Sequence, residues 1–302
     1  MNNSLKVDLH IHTCYSDGAY TPSEIVLRYK DRGYNLIAIT DHDTIDGVAE
    51  AVKKGEELQI RVIRGIEFST RNEDGVEMHI LGYGIDIQNP ALLEKLEEIR
   101  DARRRRNARL IEYLASVGYE LTYDELLIGK MGDYIGKPDF GRAMVRRGYI
   151  KEPWEIFTPG EYLEAPEAKK IKKDMIDTIE AIRLIRECGG IPVLAHPAKI
   201  KQIAPGYGET KEQHYTDLNR LLDIMVPAGL GGIEAYHSDH MWEQAMRYIG
   251  IAEERGLIHT KGSDYHGDDF KLRKLSPEMD GMPLNDSDIE TLMIANGNRA
   301  QE

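Results

Sequence analysis

Over the first eighty-odd residues, short apolar runs alternate with amphipathic stretches. Lys6–Ile11 reads as a strand, Pro22–Arg32 as a helix opened by Thr21-Pro22, and Asn35–Thr40 (NLIAIT) as a buried strand. A helix is expected over Ile45–Glu57, then strands at Arg61–Ile66 and Val76–Tyr83. Strands separated by helices of about ten residues predict parallel βαβ units and an α/β fold.

The pattern changes after Asn89-Pro90. Leu92–Val117 is one long charged helix with ladders such as Leu96, Ile99, Arg103 and Leu110, Leu114. Shorter helical pieces follow at Tyr123–Leu127, Asp139–Arg147 and Trp154–Phe157, and no strand is expected before Ile191. Residues 89–175 therefore read as a helical insertion into an α/β unit made of 1–88 and 176–302. The alternation resumes with a helix over Asp174–Cys188, stopped by Gly189-Gly190, and a strand over Ile191–Ala195. Then come helix Asp217–Val226, strand Gly232–Tyr236, helix His240–Arg255 and strand Leu257–Lys261. A final short helix is expected near Asp286–Ala295, which makes about seven strands in all.

Polar residues with chemical potential fall at or just after the ends of these strands. His10 and His12 follow Val7-Asp8-Leu9, with Asp17 in the loop beyond; Asp41 and His42 follow the second strand. Glu67 follows Val62–Ile66, His79 lies in VEMHILGYG, His196 follows IPVLA, and Asp264 and His266 follow Lys261. The C-terminal rim of parallel strands is where α/β folds build active sites. Taken singly, each has a plainer reading: an HxH pair is common, Asp41 could cap the next helix, and His79 could be a core histidine. Together they supply the mixture of imidazole and carboxylate that first-row divalent metals take.

Composition narrows the picture. The 302 residues hold 39 Lys+Arg against 52 Asp+Glu, a net charge of −13, which argues against a protein built to grip duplex DNA. No apolar run is long enough to span a bilayer, and MNNSLKVDLHIH lacks a basic region followed by an apolar one. Two cysteines, Cys14 and Cys188, are too few for a disulfide framework, and a cytoplasmic setting is expected.

The ordered segments VDLHIHTCYSDG, AITDHDT, GIEFS, HILGYG, LAHP and GSDYHG resemble the motifs of the PHP (polymerase and histidinol phosphatase) domain family. The likeness is greatest to its stand-alone, TrpH-type metal-dependent phosphoesterases. The resemblance implies a distorted (β/α)7 barrel with a helical insertion and three divalent ions (Mn, Fe or Zn) at its mouth. It implies a first metal held by His10, His12, Glu67 and Asp264. A second would share Glu67 and add His79 and His196, and a third would take Asp17, His42 and His266. Asp41 would orient its neighbours or cap a helix. His237 is the candidate for a phosphate contact or for protonating the leaving oxygen, with Asp264 as its catalytic companion. His214 and His259 carry no role, and His240 reads as a helix start.

The insertion is expected to select the substrate. Gly136–Met144 (GKPDFGRAM) is similar to a family segment reading G-R-P-H-x-A-R-A-L, so Arg142 and Lys137 are candidate phosphate contacts; Lys137 and Asp139 depart from the pattern. The run Arg103–Arg106, beside Glu94, Glu97, Glu98 and Asp101, reads as a solvated face. The implied reaction is hydrolysis of a small nucleotide's phosphate ester, first the 3′-phosphate of a nucleoside 3′,5′-bisphosphate. Alternatives are 5′-to-3′ digestion of short single-stranded RNA, histidinol-phosphate hydrolysis, a metal-binding regulatory module, and a C–N hydrolase. The last is disfavoured because no metal-bridging lysine follows a strand; Lys261 lies just before Gly262-Ser263-Asp264.

Overall fold

The computed structural model describes residues 5–200, 211–268 and 274–297. The order is β1 (Val7–Asp8), α1 (Pro22–Asp31), β2 (Leu36–Ile39), α2 (Val48–Leu58), β3 (Arg61–Arg71) and β4 (Glu77–Tyr83). Then come α3 (Pro90–Ser116), α4 (Tyr123–Leu126), α5 (Lys137–Arg146), α6 (Pro166–Lys169), β5 (Ile176–Asp177) and α7 (Thr178–Glu187). The rest is β6 (Ile191–Leu194), α8 (Lys211–Met225), β7 (Gly232–His237), α9 (Trp242–Glu254), β8 (Ile258–Gly262), α10 (Pro277–Gly281) and α11 (Asp286–Gly297).

Seven strands follow one another in the order β1-β2-β3-β4-β6-β7-β8, with β5 paired to β3 outside that path. The ends of the path meet: Leu9 N–H donates to Lys261 O at 2.9 Å and His12 N–H to Tyr265 O at 2.9 Å. The result is a nearly closed, distorted α/β barrel.

One expectation fails. β4 is antiparallel to both β3 and β6, so not every strand belongs to a parallel βαβ unit. The reason is local: Asn72–Val76 is a tight hairpin turn, with Val76 N–H donating to Asn72 Oδ1 at 2.8 Å and Gly75 at φ 81°. The hairpin also carries β3 on to Arg71, so Glu67 lies inside a strand and not after one. The expected helix over 174–188 is divided: Ile176–Asp177 pairs with Thr70–Arg71, and Asp177 caps α7 by accepting from the Ile179 and Glu180 amides. His240 precedes α9, and its Nδ1 donates to Ala235 O at 2.7 Å.

Strand alternation partitions the core. Ile37, Ile39, Ile66 and Phe68 pack with the helices, whereas Leu36, Ala38, Ile63 and Val193 cluster with Met279, Leu284, Ile289 and Leu292 of the C-terminal segment. A third cluster lies wholly between Leu110 and Ala168. α3 spans both regions: Leu92, Leu96 and Ile99 join the barrel's helical layer, while Leu110 and Leu114 join this third cluster. Among the described residues no helix is long and apolar enough to cross a membrane.

Candidate metal centre

Glu67 stands at the middle of the mouth, fully buried. Its Oε2 lies 3.1 Å from His10 Nε2, 3.3 Å from His12 Nε2 and 3.0 Å from His42 Nδ1. Its Oε1 lies 2.8 Å from His79 Nδ1 and 3.0 Å from His196 Nε2. Asp264 Oδ1 closes on the same space, 3.1 Å from His12 Nε2 and 3.6 Å from His10 Nε2. Asp17 is 3.3 Å from His266 Nε2 and 3.9 Å from His42 Nε2. All nine residues thus meet at one end of the barrel. The reversal of β4 explains His79: an early residue of an antiparallel strand lands on the rim where parallel strands end.

The donor atoms form overlapping groups within 4.8 Å: His10, His12, Glu67 and Asp264; His12, Asp17, His42 and His266; and His42, Glu67 and His79. Two details depart from the expected sets. His12 joins the Asp17 group, and His42, not His196, completes the compact group with Glu67 and His79. His10 Nε2, His12 Nε2, Asp17 Oδ1, His42 Nδ1 and Glu67 Oε2 are buried with no hydrogen-bond partner. Such orphans are costly to bury, and in this donor set they suit divalent cations.

The surrounding protein fixes the rings. His10 Nδ1 donates to Glu234 Oε1 at 2.9 Å and His266 Nδ1 to Asp264 O at 2.8 Å, so in each ring Nε2 is the nitrogen that faces the centre. Glu234 also accepts from the His196 amide at 2.8 Å. Asp41 accepts from Thr13 N–H and Oγ1–H, both at 2.7 Å, and from the Ser16 hydroxyl, which shapes the loop carrying His12 and Asp17. It does not cap a helix, because the residue before α2 is Gly47. Asp43, His196 and Asp264 hold φ of 52°, 27° and 57°, left-handed backbone that is uncommon for non-glycine residues, although Gln59 and Tyr162 adopt it away from the centre.

Electrostatics follow from burial and neighbours. Burial opposes a charge on His10, yet Glu234 and Glu67 raise it to about 10. Burial works against ionised Glu67 and Asp17, but the surrounding histidines hold both well below the usual carboxylate range. His237 is fully buried, and burial pulls it down to about 3. Its Nδ1 accepts from the Asp239 amide at 3.0 Å, so the neutral ring carries its proton on Nε2, 3.4 Å from Asp264 Oδ2.

The segment between α3 and β5 covers one side of the mouth. Lys137 lines a cavity of about 470 Å³ beside Asp17, His42 and His79, and its Nζ is 2.8 Å from Glu164. Arg142 does not line it; it donates to Asp139 Oδ1 at 2.9 Å and to Asp17 O at 3.4 Å. Asp139 is buried between Arg142 and Lys130, so two cations separate that carboxylate from any anion at the mouth. The reading of Arg103–Arg106 as a solvated face is half wrong. Arg104 and Arg105 are exposed, but Arg103 is buried against Asp43, 3.8 Å over the Tyr134 ring, and Arg106 lines the cavity.

Four contributors escaped the sequence reading: Glu234, Asp43, Lys173 and Lys199. Glu234 sits on a strand just before His237, and its position was the available signal. Asp43 accepts from the Ser69 amide and binds Lys173 Nζ at 2.8 Å, a pairing across 130 residues that no local pattern reveals. Lys199 Nζ stands 3.0 Å from Asp264 Oδ2. The remaining histidines serve packing: His214 Nε2 is 2.9 Å from Tyr248 OH, and His259 pairs with Asp288 at 3.0 Å. Lys261 turns away, donating to Asp280 O and Met282 O at 3.1 and 2.8 Å.

Comparison with known proteins matches the PHP domain over residues 8–231. A phosphoribosyl 1,2-cyclic phosphate 1,2-diphosphodiesterase of Eggerthella lenta is 30% identical, over 86% of this chain and 94% of the relative. A 3′,5′-nucleoside bisphosphate phosphatase of Chromobacterium violaceum is 30% identical over 86% and 87%. A structure from Bifidobacterium adolescentis, described as a metal-dependent phosphoesterase, superposes with TM-score 0.81 at 29% identity over 96% of each chain. A Chromobacterium violaceum structure titled an amidohydrolase, with sulfate and no metal, gives 0.80 at 27% identity over 96% of each chain.

Proposed function

This chain belongs to the PHP domain family and is a metal-dependent phosphoesterase, and from that premise we propose that it removes the 3′-phosphate of a nucleoside 3′,5′-bisphosphate. The observation that carries the reading is the convergence of nine His, Asp and Glu side chains, with their orphaned donor atoms, beside a cation-lined cavity. Three divalent ions, Mn, Fe or Zn, would sit among them. His10, His12, Glu67 and Asp264 would hold the first; Glu67, His79 and His196 the second; Asp17, His42 and His266 the third. When bound, such ions acidify water towards neutral pH and neutralise phosphoryl charge.

The chain's own residues do the rest. Glu234 keeps the His10 proton on Nδ1, and Asp41 holds the loop of His12 and Asp17 in place. The His237 Nε2–H is a fixed donor for a phosphoryl oxygen beside Asp264, a hydrogen-bonding role in place of proton delivery, because its buried ring is neutral. Lys199 adds positive charge on the same side. Lys137 is the proposed phosphate contact at the cavity, while Arg142 positions Asp139 and the Asp17 loop. The C–N hydrolase reading loses its lysine, since Lys261 points to Asp280 and Met282.

The experiment is chromatography of products from Mn-loaded protein incubated with adenosine 3′,5′-bisphosphate, with Asp264→Ala in parallel. AMP plus phosphate, abolished in the variant, is expected. No turnover by metal-loaded protein overturns the substrate assignment, and hydrolysis of a 5′-phosphorylated oligoribonucleotide in the same assay would replace it.

A further inference from the structure

The cavity beside the metal centre has an imbalance of charge that the centre does not use. Seven lining residues are cationic: Arg71, Arg103, Arg106, Lys137, Lys169, Lys172 and Lys173. Three carboxylates answer six of them. Glu164 binds Lys137 at 2.8 Å and Lys169 at 2.9 Å. Glu77 binds Arg71 at 2.6 Å and lies 3.7 Å from Lys172. Asp43, behind the wall, takes Arg103 and Lys173. Each carboxylate can neutralise one of its two cations. The other lining carboxylate, Asp17, faces His42 and His266.

Among the described residues no hydrogen bond or ion pair reaches Arg106, and its Nε is buried without a partner. Burial and the neighbouring Arg103 guanidinium pull it down to about 10. A desolvated guanidinium beside another is unfavourable unless an anion joins them. In a chain of net charge −13, this concentration of positive charge is local and specific.

We propose that this basin is an anion site for the second, non-scissile phosphate of the substrate, with Arg106 as the specificity-determining residue. This rests on the phosphoesterase reading and deepens it. The fork of Arg106 grips two phosphate oxygens, and Lys172 and Lys173 supply the remaining charge. Arg103 is a positioning residue, pinned by Asp43 and stacked on Tyr134. The rim residues Asp17, His42 and His79 share the cavity, so one ligand spans the metal centre and the basin. A substrate with one phosphate leaves the basin's charge unanswered and binds more weakly.

The test uses the full-length, metal-loaded chain. AMP and adenosine are titrated calorimetrically into wild type, Arg106→Gln, Arg106→Lys and Lys172→Gln, and KM is measured for adenosine 3′,5′-bisphosphate and 3′-AMP. Wild type is expected to bind AMP at least tenfold more tightly than adenosine. Arg106→Gln is expected to abolish that difference and raise KM for the bisphosphate about tenfold, with Arg106→Lys between. An AMP affinity unchanged in Arg106→Gln, or equal for AMP and adenosine in wild type, overturns the site. If Arg106→Gln fails to fold, Lys172→Gln decides: this mostly exposed side chain should cost AMP about threefold, and no change overturns the proposal. AMP binding that follows Arg106 without hydrolysis of the bisphosphate leaves the anion site standing and removes the 3′-phosphatase reading. Hydrolysis that ignores both substitutions does the reverse.

Discussion

The Nδ1–H of His10 donates to Oε1 of Glu234 across 2.9 Å, with both side chains fully buried. That bond fixes which nitrogen of His10 faces Glu67 and Asp264. Glu234→Gln is therefore expected to lower divalent-cation affinity by about 10- to 100-fold while the fold survives. Competition with a metal-chelating dye measures it, and an affinity equal to wild type would remove Glu234 from the centre.

Gly262 stands where no side chain fits. A Cβ there would overlap His10 Cβ and lie 3.0 Å from the His10 amide, neither of which is the end of a flexible chain. Gly262→Ala is expected to destabilise the protein by about 1–3 kcal/mol and to reduce bound metal together with it. Thermal melting and metal analysis of the purified variant report both; a normal melt with full metal content contradicts the packing argument.

Asp43 is the counter-charge for two buried cations, Arg103 and Lys173. Burial, then Arg103, bring Lys173 down to about 8, with Asp43 opposing the fall. Asp43→Asn leaves both cations without their carboxylate and is expected to cost about 3–5 kcal/mol. Urea unfolding of the two proteins tests this, and a difference under 1 kcal/mol, on the order of an exposed pair, would show the network to be weak.

Cation uptake should displace protons. In the metal-free protein His10 is raised from 6.5 to about 10, so at pH 7 its ring is charged and must lose a proton to become a ligand. Calorimetry in buffers of different ionisation enthalpy should show proton release at pH 7 that shrinks as pH approaches 10. The same shift has a stability sign: the His10 contribution to the metal-free fold is complete below 6.5 and is lost as pH rises through 10. Equal heats in all buffers would exclude a charged His10.

Chelation should expose the cost of the orphaned donors. Removing cations held at a hundred times their Kd withdraws about 2.7 kcal/mol per site by mass action. A melting temperature that drops with EDTA and recovers with Mn is expected; one indifferent to both would separate the centre from the fold.

The nine converging residues were legible because their types and order survive in the sequence, even where the local geometry was misread. His79 shows the limit. Its strand runs backwards after the Asn72–Gly75 turn, a turn-rich stretch that the expectation of βαβ units left unused. Arg103 is the opposite case: it shares a ladder with Leu96 and Ile99 and is buried with them, although its charge suggested solvent. What joins Asp43 to Lys173, or His10 to Glu234, is contact across 130 and 224 residues, and no periodicity carries that information.

The reversed β4 leaves the chain at the barrel's lower end, so α3 must climb back towards the mouth before α4 to α6 follow. Arg103 and Arg106 reach the mouth because they lie some four turns up that helix, at about 1.5 Å per residue. The cavity wall is thus set by a count of residues. One residue added between Ile99 and Arg103 would turn both arginines by about 100° and swing them off the cavity, whereas a heptad would return them to the same face at a greater height. Along this strut, length changes are expected to be tolerated or ruinous by phase, and the cavity wall is geared to the pitch of a helix.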